Sequence, residues 1–295
     1  MKTVLAVGEV LWDLFPEGPR FGGAPANFAC ACAELGQRYV RVYLGSAVGR
    51  DELGDEARRR LTGHGVDGSH LTVNGHPTGR VFVVAGSNGK NDYRFSDDDA
   101  WDHISPTPQL LAIAAAADVV CFGTLGQRAA ESRESIRAVV NATRPDCLRV
   151  LDINLRAPHW SPAVLLDSLA LANVVKLNDE ELPTVAGVLG VSGDDAAVLE
   201  HIRERFDLKL IVLTRGASGS RVHAADGTTD DRPGEPVEVV NTVGAGDAFT
   251  AALALGLEFG HPLTRTHAWA ADVAAFVCTQ PGGTCVFPPR LHLTP

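Results

Sequence analysis

A glycine turn followed by an aspartate has the residue types and the spacing to do chemistry. The turn reads Gly244, Ala245, Gly246, Asp247, and it follows a β-rich run at 237–240. The Ala- and Leu-rich stretch after it is typical of a helix that ends at Phe259. A helix start collects free N–H groups and about half a positive charge, and glycines let an anion approach them. Asp247 therefore suits a general base that deprotonates a hydroxyl beside those N–H groups, and a simple helix cap explains it equally well.

Polar residues near the ends of other predicted elements supply groups that hold hydroxyls. Asp13 follows the first strand, and the carboxyl edge of an α/β sheet is where ligands bind. Asn27 lies in the first turn of a helix that Gly22 and Gly23 open, where an asparagine is most often a cap. The run 152–156 ends a further strand, and its Arg156 has three readings: contact with substrate, with phosphate, or with structural carboxylates.

Two later motifs also follow predicted strands. Asn178 and Glu181 come after a strand at 174–177, and taken alone they indicate a helix cap with an acidic first turn. A second group follows the strand at 210–214, and it comprises Thr214, Arg215, Gly216 and Gly219. Arg128 carries no comparable signal, and we expect it to be exposed to solvent.

Short apolar runs alternate with helical stretches along the chain, which predicts an α/β fold with a mainly parallel sheet covered by helices on both faces. The predicted buried strands are 4–8, 40–44, 119–122, 149–153, 174–177 and 210–214. The predicted helices are 26–35, 52–62, 108–116, 131–142, 196–205, 248–259 and 263–277.

Two segments break the alternation. Residues 11–21 carry Pro16, Gly18 and Pro19, and residues 78–95 read as a hairpin with a turn at 86–91. Strands that interrupt an α/β series usually leave the main sheet, so we expect both segments to lie outside it. A surface hairpin without any gating role is the simpler alternative.

Bulk properties exclude several classes of protein. The chain has 295 residues and a net charge of −10, which argues against nucleic acid or an anionic membrane as the main partner. No run is apolar for about 18 residues, and the start of the chain reads as a buried strand rather than a signal peptide, so we expect a cytoplasmic protein. The six cysteines form no C-x-x-C pair and suit reduced core thiols.

Motifs of several other enzyme classes are missing from the sequence. There is no G-x-x-x-x-G-K-[ST], no G-x-G-x-x-G after the first strand, no H-E-x-x-H and no G-x-S-x-G. These absences argue against a P-loop kinase, a dinucleotide-binding enzyme, a zinc protease and an α/β-hydrolase.

Four motifs, in order, resemble those of the PfkB sugar kinases, the ribokinase-like family. Residues 241–249 resemble the C-terminal signature Asp-Thr-x-Gly-Ala-Gly-Asp-x-Phe, with Asn241 in place of its first Asp. The other three motifs are 21–29, 178–181 and 214–219. Residues 122–128 and 152–156, together with Gly-Gly-Ala-Pro-Ala-Asn at 22–27, are most similar to bacterial fructokinases.

The resemblance implies a single ribokinase-like domain over 1–295, a three-layer α/β sandwich whose segments 11–21 and 78–95 form a small β lid that also joins a homodimer. It implies an ATP-dependent kinase of a sugar, with D-fructose as substrate and Mg²⁺ as cofactor. The implied catalytic group is the base Asp247 with the backbone of Gly244, Ala245 and Gly246. The implied sugar ligands are Asp13, Gly22, Gly23, Asn27 and Arg156. The implied nucleotide residues are Asn178, Glu181, Thr214, Arg215, Gly216 and Gly219, with Glu181 holding Mg²⁺ through water.

Some alternatives stay open. A 2-keto-3-deoxygluconate kinase is the nearest, since an arginine such as Arg156 suits a carboxylated substrate. A nucleoside kinase and a sugar-binding sensor without catalysis are others. The family's first signature Asp lies near a monovalent-cation site, so Asn241 leaves K⁺ uncertain and predicts weak activation by it.

Overall fold

The computed structural model describes residues 1–85 and 91–294 and contains two β-sheets. The large sheet has ten strands: β1 (Lys2–Val7), β4 (Val40–Gly49), β5 (Val66–Asp67), β6 (Leu71–Asn74), β9 (Val119–Gly123), β10 (Leu148–Asp152), β11 (Val174–Asn178), β12 (Leu210–Thr214), β13 (Ser220–Ala224) and β14 (Thr229–Arg232). The small sheet has four: β2 (Leu11–Phe15), β3 (Gly18–Gly22), β7 (Gly79–Ala85) and β8 (Asn91–Phe95).

The large sheet is mainly parallel, as the sequence predicts. Its strands run in the order β14-β13-β12-β11-β10-β9-β1-β4-β5, and β6 pairs with β4. Within the described part of this sheet, β13 pairs antiparallel with both β12 and β14, so β13 is the one strand that runs in the reverse direction. The parallel register sets Asp152 beside Lys176 and Asn178 beside Thr214, so the carboxyl ends of three neighbouring strands carry polar groups at one edge.

Helices cover both faces of the large sheet. The described part of the chain forms α1 (Ala24–Gly36), α2 (Glu52–Gly63), α3 (Pro108–Ala116), α4 (Ala130–Asn141), α5 (Pro162–Leu171), α6 (Leu182–Leu189), α7 (Asp195–Arg205), α8 (Ala245–Glu258) and α9 (Leu263–Cys278). One apolar core lies between the sheet and α1, α2, α8 and α9. A second core lies on the other face beneath α3 to α7. This arrangement confirms the predicted α/β layers.

Local chemistry explains where several helices begin. Asp51, Thr107, Ser161 and Asp194 each accept a hydrogen bond from a backbone N–H in the first turn of α2, α3, α5 and α7 respectively. These caps satisfy donors that a helix start otherwise leaves open. All seven predicted helices are present, with ends that shift by a few residues. The sequence reading missed α5 and α6.

The β-rich run at 237–240 is not a strand, contrary to the sequence reading. Val239 and Val240 are 59% and 63% exposed, and only the backbone N–H of Val240 is held, by the carbonyl of Cys278. β-branched residues favour a strand only where a neighbour pairs with them. Among the described residues no strand pairs with this run, and β14, the strand before it in the chain, has β13 as its neighbour in the sheet.

The small sheet is the β layer that the two interrupting segments predict. β2 and β3 form a hairpin, β7 and β8 pair antiparallel, and β2 joins them by parallel pairing with β7. Leu11 and Val81 pack with Trp101 and Leu125 in a small apolar cluster of their own. Residues 86–90 of the predicted turn lie outside the described residues.

None of the helices among the described residues is long and apolar enough to cross a membrane. All six cysteines are free thiols, as expected, and four of them are buried.

Candidate active site

The start of α8 brings two distant motifs together. The Nδ2 group of Asn27 in α1 donates a hydrogen bond of 2.8 Å to Oδ2 of Asp247 in the first turn of α8. The residue that caps α8 is Gly244, and no side chain bonds to the cap. Asp247 therefore points across to α1 instead of capping its own helix, and Asn27 likewise does not cap α1.

The turn before Asp247 requires glycine. Gly244 has a φ of +81°, and a Cβ atom on it would lie 2.4 Å from Cα of Gly283. A Cβ atom on Gly246 would lie 2.9 Å from Nζ of Lys176. The turn at this helix start is half-buried, packs closely against Gly283 and has a buried ammonium group behind it.

The environment of Asp247 makes its carboxylate more basic than usual. Burial raises the pKa of Asp247 to about 6, and the nearby Asp152 carboxylate adds to the rise. The hydrogen bond from Asn27 and the charges of Lys176 and Arg156 act in the opposite direction on that pKa. A carboxylate with a pKa near 6 is ionised at neutral pH and accepts a proton more readily than an exposed one does.

A buried ion pair between Lys176 and Asp152 lies behind the start of α8. Lys176 Nζ lies 3.1 Å from Oδ1 of Asp152, and both side chains are less than a tenth exposed. Thr250 of α8 donates its hydroxyl to Oδ2 of Asp152 at 3.0 Å. This network ties the carboxyl end of β10 and the middle of β11 to the first two turns of α8.

Glu9 and Asn27 present unpaired oxygen atoms near Asp247. Glu9 Oε2 and Asn27 Oδ1 are buried and have no hydrogen-bond partner among the described residues. The other Glu9 oxygen, Oε1, accepts the backbone N–H of Ala24 at 3.2 Å. Burial raises the pKa of Glu9 to about 7, and Asp247 is close enough to raise it further. Acceptors that are buried and unpaired need donors, and hydroxyl groups of a polyol would supply them.

Asp13 lies on the small sheet, which corrects its expected position at the carboxyl edge of the large sheet. It belongs to β2 and pairs with Arg20 on β3 and with Val81 on β7. Burial raises the pKa of Asp13 to about 6, while the nearby charges of Arg156 and Arg20 lower it. Asp13 therefore brings a carboxylate toward Arg156 from the lid side.

Gly22 and Gly23 let the lid strand approach the sheet closely. A Cβ atom on Gly22 would lie 3.3 Å from Oδ2 of Asp13. Gly23 has a φ of +105°, and a Cβ atom on it would lie 2.5 Å from the carbonyl oxygen of Glu9. A side chain at either position would push apart the groups that line the site.

Arg156 is exposed, and its charge acts on three carboxylates of the site. Its guanidinium lowers the pKa values of Glu9, Asp13 and Asp247. The structure thus brings Arg156 to the same place as the predicted sugar and catalytic residues.

Asn178 and Glu181 bond to each other and to the end of β10. Glu181 accepts the N–H of Asn178 at 2.9 Å and the N–H of Leu155 at 2.8 Å, one on each carboxylate oxygen. Asn178 Oδ1 accepts the N–H of Glu181 at 2.8 Å. Each oxygen keeps one further lone pair, so the pair fits a contact to Mg²⁺ through its waters better than direct coordination.

The loop after β12 is tight and forms an arginine–aspartate pair. Gly216 and Gly219 have φ values of +52° and +90°, and a Cβ atom on Gly219 would lie 1.9 Å from the carbonyl oxygen of Arg232. Arg215 pairs with Asp231 of β14, and Thr214 Oγ1 contacts the carbonyl of Leu177 at 3.4 Å. Arg215 must therefore share its guanidinium with Asp231 if it meets a phosphate.

Arg128 is buried, contrary to the expectation that it is exposed. Its side chain is 9% exposed, pairs with Asp99 and Asp102 at 3.1 and 2.6 Å, and lies 3.9 Å over the ring of Trp101. It joins the turn at 100–103 to the segment before α4. A cavity of about 440 Å³ lies beside it, and neither Asp247 nor Asn27 lines that cavity.

Two residues of the site escaped the sequence reading. Lys176 interrupts the apolar strand β11, and a lysine in a buried strand usually signals a buried partner. Glu9 lies two residues after the end of β1 and four residues before Asp13, without a motif of its own. The lysine signal was available in the sequence, whereas the burial of Glu9 depends on how the glycines of the lid approach it.

Comparisons with known proteins agree with these motifs. A model of the pfkB family carbohydrate kinases matches residues 18–288. A fructokinase of Salmonella typhimurium is 33% identical over 267 residues, which cover 86% of this chain and 84% of the relative. A crystal structure of a sugar kinase from Pyrococcus horikoshii in complex with ATP has a TM-score of 0.81 and 28% identity, and the match covers 95% of this chain and 93% of that one. A fructokinase of Vibrio cholerae with bound fructose, ADP and calcium has a TM-score of 0.80 and 25% identity, covering 97% and 96%.

Proposed function

Since this chain belongs to the pfkB family of carbohydrate kinases and is thus an ATP-dependent sugar kinase, we propose that its substrate is a neutral ketohexose, D-fructose. The observation that carries the proposal is the hydrogen bond between Asn27 and Asp247. It joins the motif expected to bind sugar to the motif expected to catalyse the transfer. The fructokinases among the relatives support the choice of sugar.

Asp247 acts as the general base of the transfer. Its carboxylate takes the proton of the sugar's primary hydroxyl, and the resulting oxygen attacks the γ-phosphorus of ATP, which breaks the bond from that phosphorus to the β–γ bridging oxygen and releases ADP. The N–H groups of Gly246 and Asp247 at the start of α8 stabilise the negative charge on the phosphoryl oxygens. The N–H of Ala245 contributes less, because it already points at the carbonyl of Thr242, 3.3 Å away.

The Lys176–Asp152 pair keeps a positive charge behind the N–H groups at the start of α8. Nζ of Lys176 lies next to Gly246 and lowers the pKa of Asp247, whereas the Asp152 carboxylate raises that pKa and has the larger effect. Phosphoryl transfer depends mainly on positioning and on electrostatic stabilisation, so a fixed charge at this place helps without touching the substrate.

Mg²⁺ neutralises charge on the phosphates of ATP when it is bound. Asn178 and Glu181 would hold the waters of the bound ion through their remaining lone pairs. Thr214, Arg215, Gly216 and Gly219 form the phosphate and ribose side of the nucleotide site. The positive φ values of both glycines keep this loop compact enough for a nucleotide to lie against its backbone.

Electrostatics favours a neutral sugar over a keto acid. Asp13, Asp247 and Glu9 bring three carboxyl groups to the site, and Arg156 is the cation whose charge bears on all three. The carboxylate of 2-keto-3-deoxygluconate would meet this negative charge. Hydroxyl groups of fructose instead suit Asp13, the unpaired oxygens of Glu9 and Asn27, and the close backbone at Gly22 and Gly23.

One observation favours the alternative, a 2-keto-3-deoxygluconate kinase. Arg156 is exposed, and its single hydrogen bond among the described residues goes to the carbonyl of Leu155, 3.4 Å away. Its fork of donors is therefore available for the carboxylate of a keto acid.

A coupled assay of ADP release over fructose, ribose, 2-keto-3-deoxygluconate and adenosine tests the proposal. We expect kcat/KM for fructose to exceed that for the keto acid at least about tenfold, or roughly 1.4 kcal/mol of transition-state binding. The reverse order would establish the alternative. In the Arg156→Ala variant, kcat/KM for the keto acid should fall more than kcat/KM for fructose if Arg156 binds carboxylates.

The lid surface also supports a homodimer. Val81 and Phe82 are neighbours in β7 and face opposite sides of the small sheet, Val81 buried and Phe82 46% exposed. Leu14 of β2 pairs with Phe82 in the register and shares its outer face. Leu14 and Phe82 suit contact with the same face of a second copy, on which Arg94 of β8, opposite Phe82 in the register, adds a charged side chain.

A further inference from the structure

Three side chains of the kind that bind metal ions converge at the base of the small sheet. They are His76, Asp98 and His103, and their nearest donor atoms all lie within 4.8 Å of one another. We propose that they bind one divalent transition-metal ion, with Zn²⁺ or Co²⁺ as the chemical type, and that this ion ties together the two segments that lead into and out of the lid.

The donor atoms already lie near the spacing that an ion requires. Nε2 of His103 lies 2.8 Å from Oδ1 of Asp98, and Nδ1 of His76 lies 3.2 Å from Oδ2 of the same carboxylate. Ligand atoms around a tetrahedral ion with bonds of about 2.0–2.1 Å lie roughly 3.3 Å apart. Both nitrogen–oxygen pairs therefore have nearly the required spacing, whereas the two ring nitrogens, within 4.8 Å of each other, must change position to share one ion.

A fourth residue orients His103. Its second ring nitrogen, Nδ1, lies 2.7 Å from Oε2 of Glu131 in α4. A carboxylate on the far nitrogen is the usual support of a histidine that binds metal, because it fixes the tautomer with Nε2 unprotonated. The lone pair of Nε2 then faces an oxygen of Asp98, and two acceptors in contact need either a proton or a metal ion between them.

The two imidazole rings favour one shared dication over two protons. Their centroids are 3.7 Å apart and their planes differ by 16°. Protonating both rings would place two positive charges at that separation. Because stacked rings direct their lone pairs along parallel lines, one ring must rotate before both bind the same ion, and His76, 35% exposed, has room to do so.

Asp98 holds an uncommon backbone conformation at this place. Its φ is +58°, in the left-handed region that residues other than glycine seldom adopt. The conformation turns its carboxylate toward both histidines although the side chain is 70% exposed. An outlier of this kind indicates that the surrounding contacts determine the geometry.

The position of the three residues determines which parts of the chain a bound ion would hold together. His76 lies three residues before β7, and Asp98 lies three residues after β8, so they stand on the two segments that connect the hairpin to the rest of the chain. His103 belongs to the turn at 100–103, which packs beside α4. Asp98 and His103 also line the 440 Å³ cavity, where water can complete the coordination. One ion would therefore fix both lid connections to the body of the protein.

Zinc binding to the untagged, metal-stripped protein tests the proposal. Isothermal titration at neutral pH should give one Zn²⁺ per chain, and Co²⁺ should give visible absorption bands of a nitrogen- and oxygen-bound ion. We expect His76→Ala and His103→Ala to weaken Zn²⁺ affinity at least about tenfold. The matched control is His201→Ala, which removes an exposed histidine on α7 and should leave the affinity unchanged.

Hydrogen exchange tests the effect on the lid. Zn²⁺ should slow amide exchange in β7 and β8 of the unaltered protein and should not do so in His76→Ala. Absence of zinc binding, or equal affinity of the His76 and His201 variants, would overturn the metal site. Zinc binding that leaves exchange in β7 and β8 unchanged would overturn the proposed clamp.

Discussion

At the scale of single residues, Asp247 is set apart by what it contacts. It bonds to Asn27 across 220 positions of sequence and lies beside Asp152, Lys176 and Arg156 in space. No property of the signature itself shows these neighbours, because they come from other segments of the chain. Its role as base can be tested without changing its size.

Asp247→Asn should lower kcat by about 10²–10⁴-fold, which is what a positioned general base usually contributes. The substitution keeps a side chain of the same shape beside Asn27, so binding of ATP and of sugar should change far less. Asp167→Asn on α5, an exposed aspartate paired with Arg137, is the matched control. If the Asp247→Asn variant keeps a tenth or more of the original kcat in the ADP-release assay, the role is excluded.

Asn241 supports a second prediction, on K⁺. Its Nδ2 donates to the carbonyl of Pro281 at 3.1 Å, and its Oδ1 accepts the N–H of Val243 at 3.0 Å. The amide N–H thus satisfies a carbonyl that would otherwise be free for a cation. We expect little activation of the unmodified protein by K⁺, measured as kcat against K⁺ with tetramethylammonium keeping the ionic strength constant.

Asn241→Asp should increase the dependence on K⁺. A carboxylate cannot donate to Pro281, and it adds the negative charge that a monovalent cation prefers. Strong K⁺ activation of the unmodified protein would show that the missing carboxylate has no influence.

At the scale of elements, β10 and β11 meet through a buried ion pair whose loss should be severe. Lys176→Met leaves the Asp152 carboxylate buried with Thr250 as its remaining partner, and breaking such a pair costs about 3–5 kcal/mol. The double variant Lys176→Met, Asp152→Asn removes both charges and should recover a large part of that loss. Denaturant unfolding of the three proteins measures the difference. Equal stability of the single and double variants would mean that the unpaired charge is not the cause.

Element order was predictable because apolar runs and helical stretches alternate clearly. Among the strands that were missed, β14 carries polar residues such as Asp230 and Asp231 at the edge of the sheet, where burial does not impose an apolar pattern. Helix α6 has only eight residues, too few for a clear period. The run at 237–240 has the opposite property: it carries the valines typical of a strand, yet these side chains are exposed and form no strand.

The candidate site was predictable where a motif names a residue and not where packing creates the environment. Asn27, Asn178 and Asp247 stand in recognisable patterns. Glu9 and Lys176 matter because other segments bury them beside Asp247, and Arg128 is buried because Asp99 and Asp102 come to it. Pair distances of this kind arise only once the sheets and helices have assembled.

At the scale of the whole molecule, the small sheet sets the expected assembly. Its outer face carries Leu14 and the exposed Phe82, and we expect the protein to elute as a dimer in light-scattering chromatography. Phe82→Glu should shift it toward the monomer, because the charge would have to lose its water at the contact. The control Tyr43→Glu alters a half-buried aromatic of the large sheet instead. A protein that is monomeric throughout the accessible concentration range would exclude the dimer.

The raised pKa of Asp247 has a consequence for the protein's durability. The pKa of this carboxyl group rises from 3.8 to about 6 on folding. Its stabilising contribution to the folded state is therefore complete below about pH 3.8 and is lost as the pH rises through about 6. At neutral pH the Asp247 carboxylate is ionised in both states, and it is less favourable buried in the folded protein than solvated in the unfolded chain. Above pH 7 the inactive Asp247→Asn protein should melt at a higher temperature than the active one, with a gain in stability on the order of 1–2 kcal/mol, and the two should converge in acid. Selection for heat resistance alone would thus tend to discard the carboxylate that we propose as the general base.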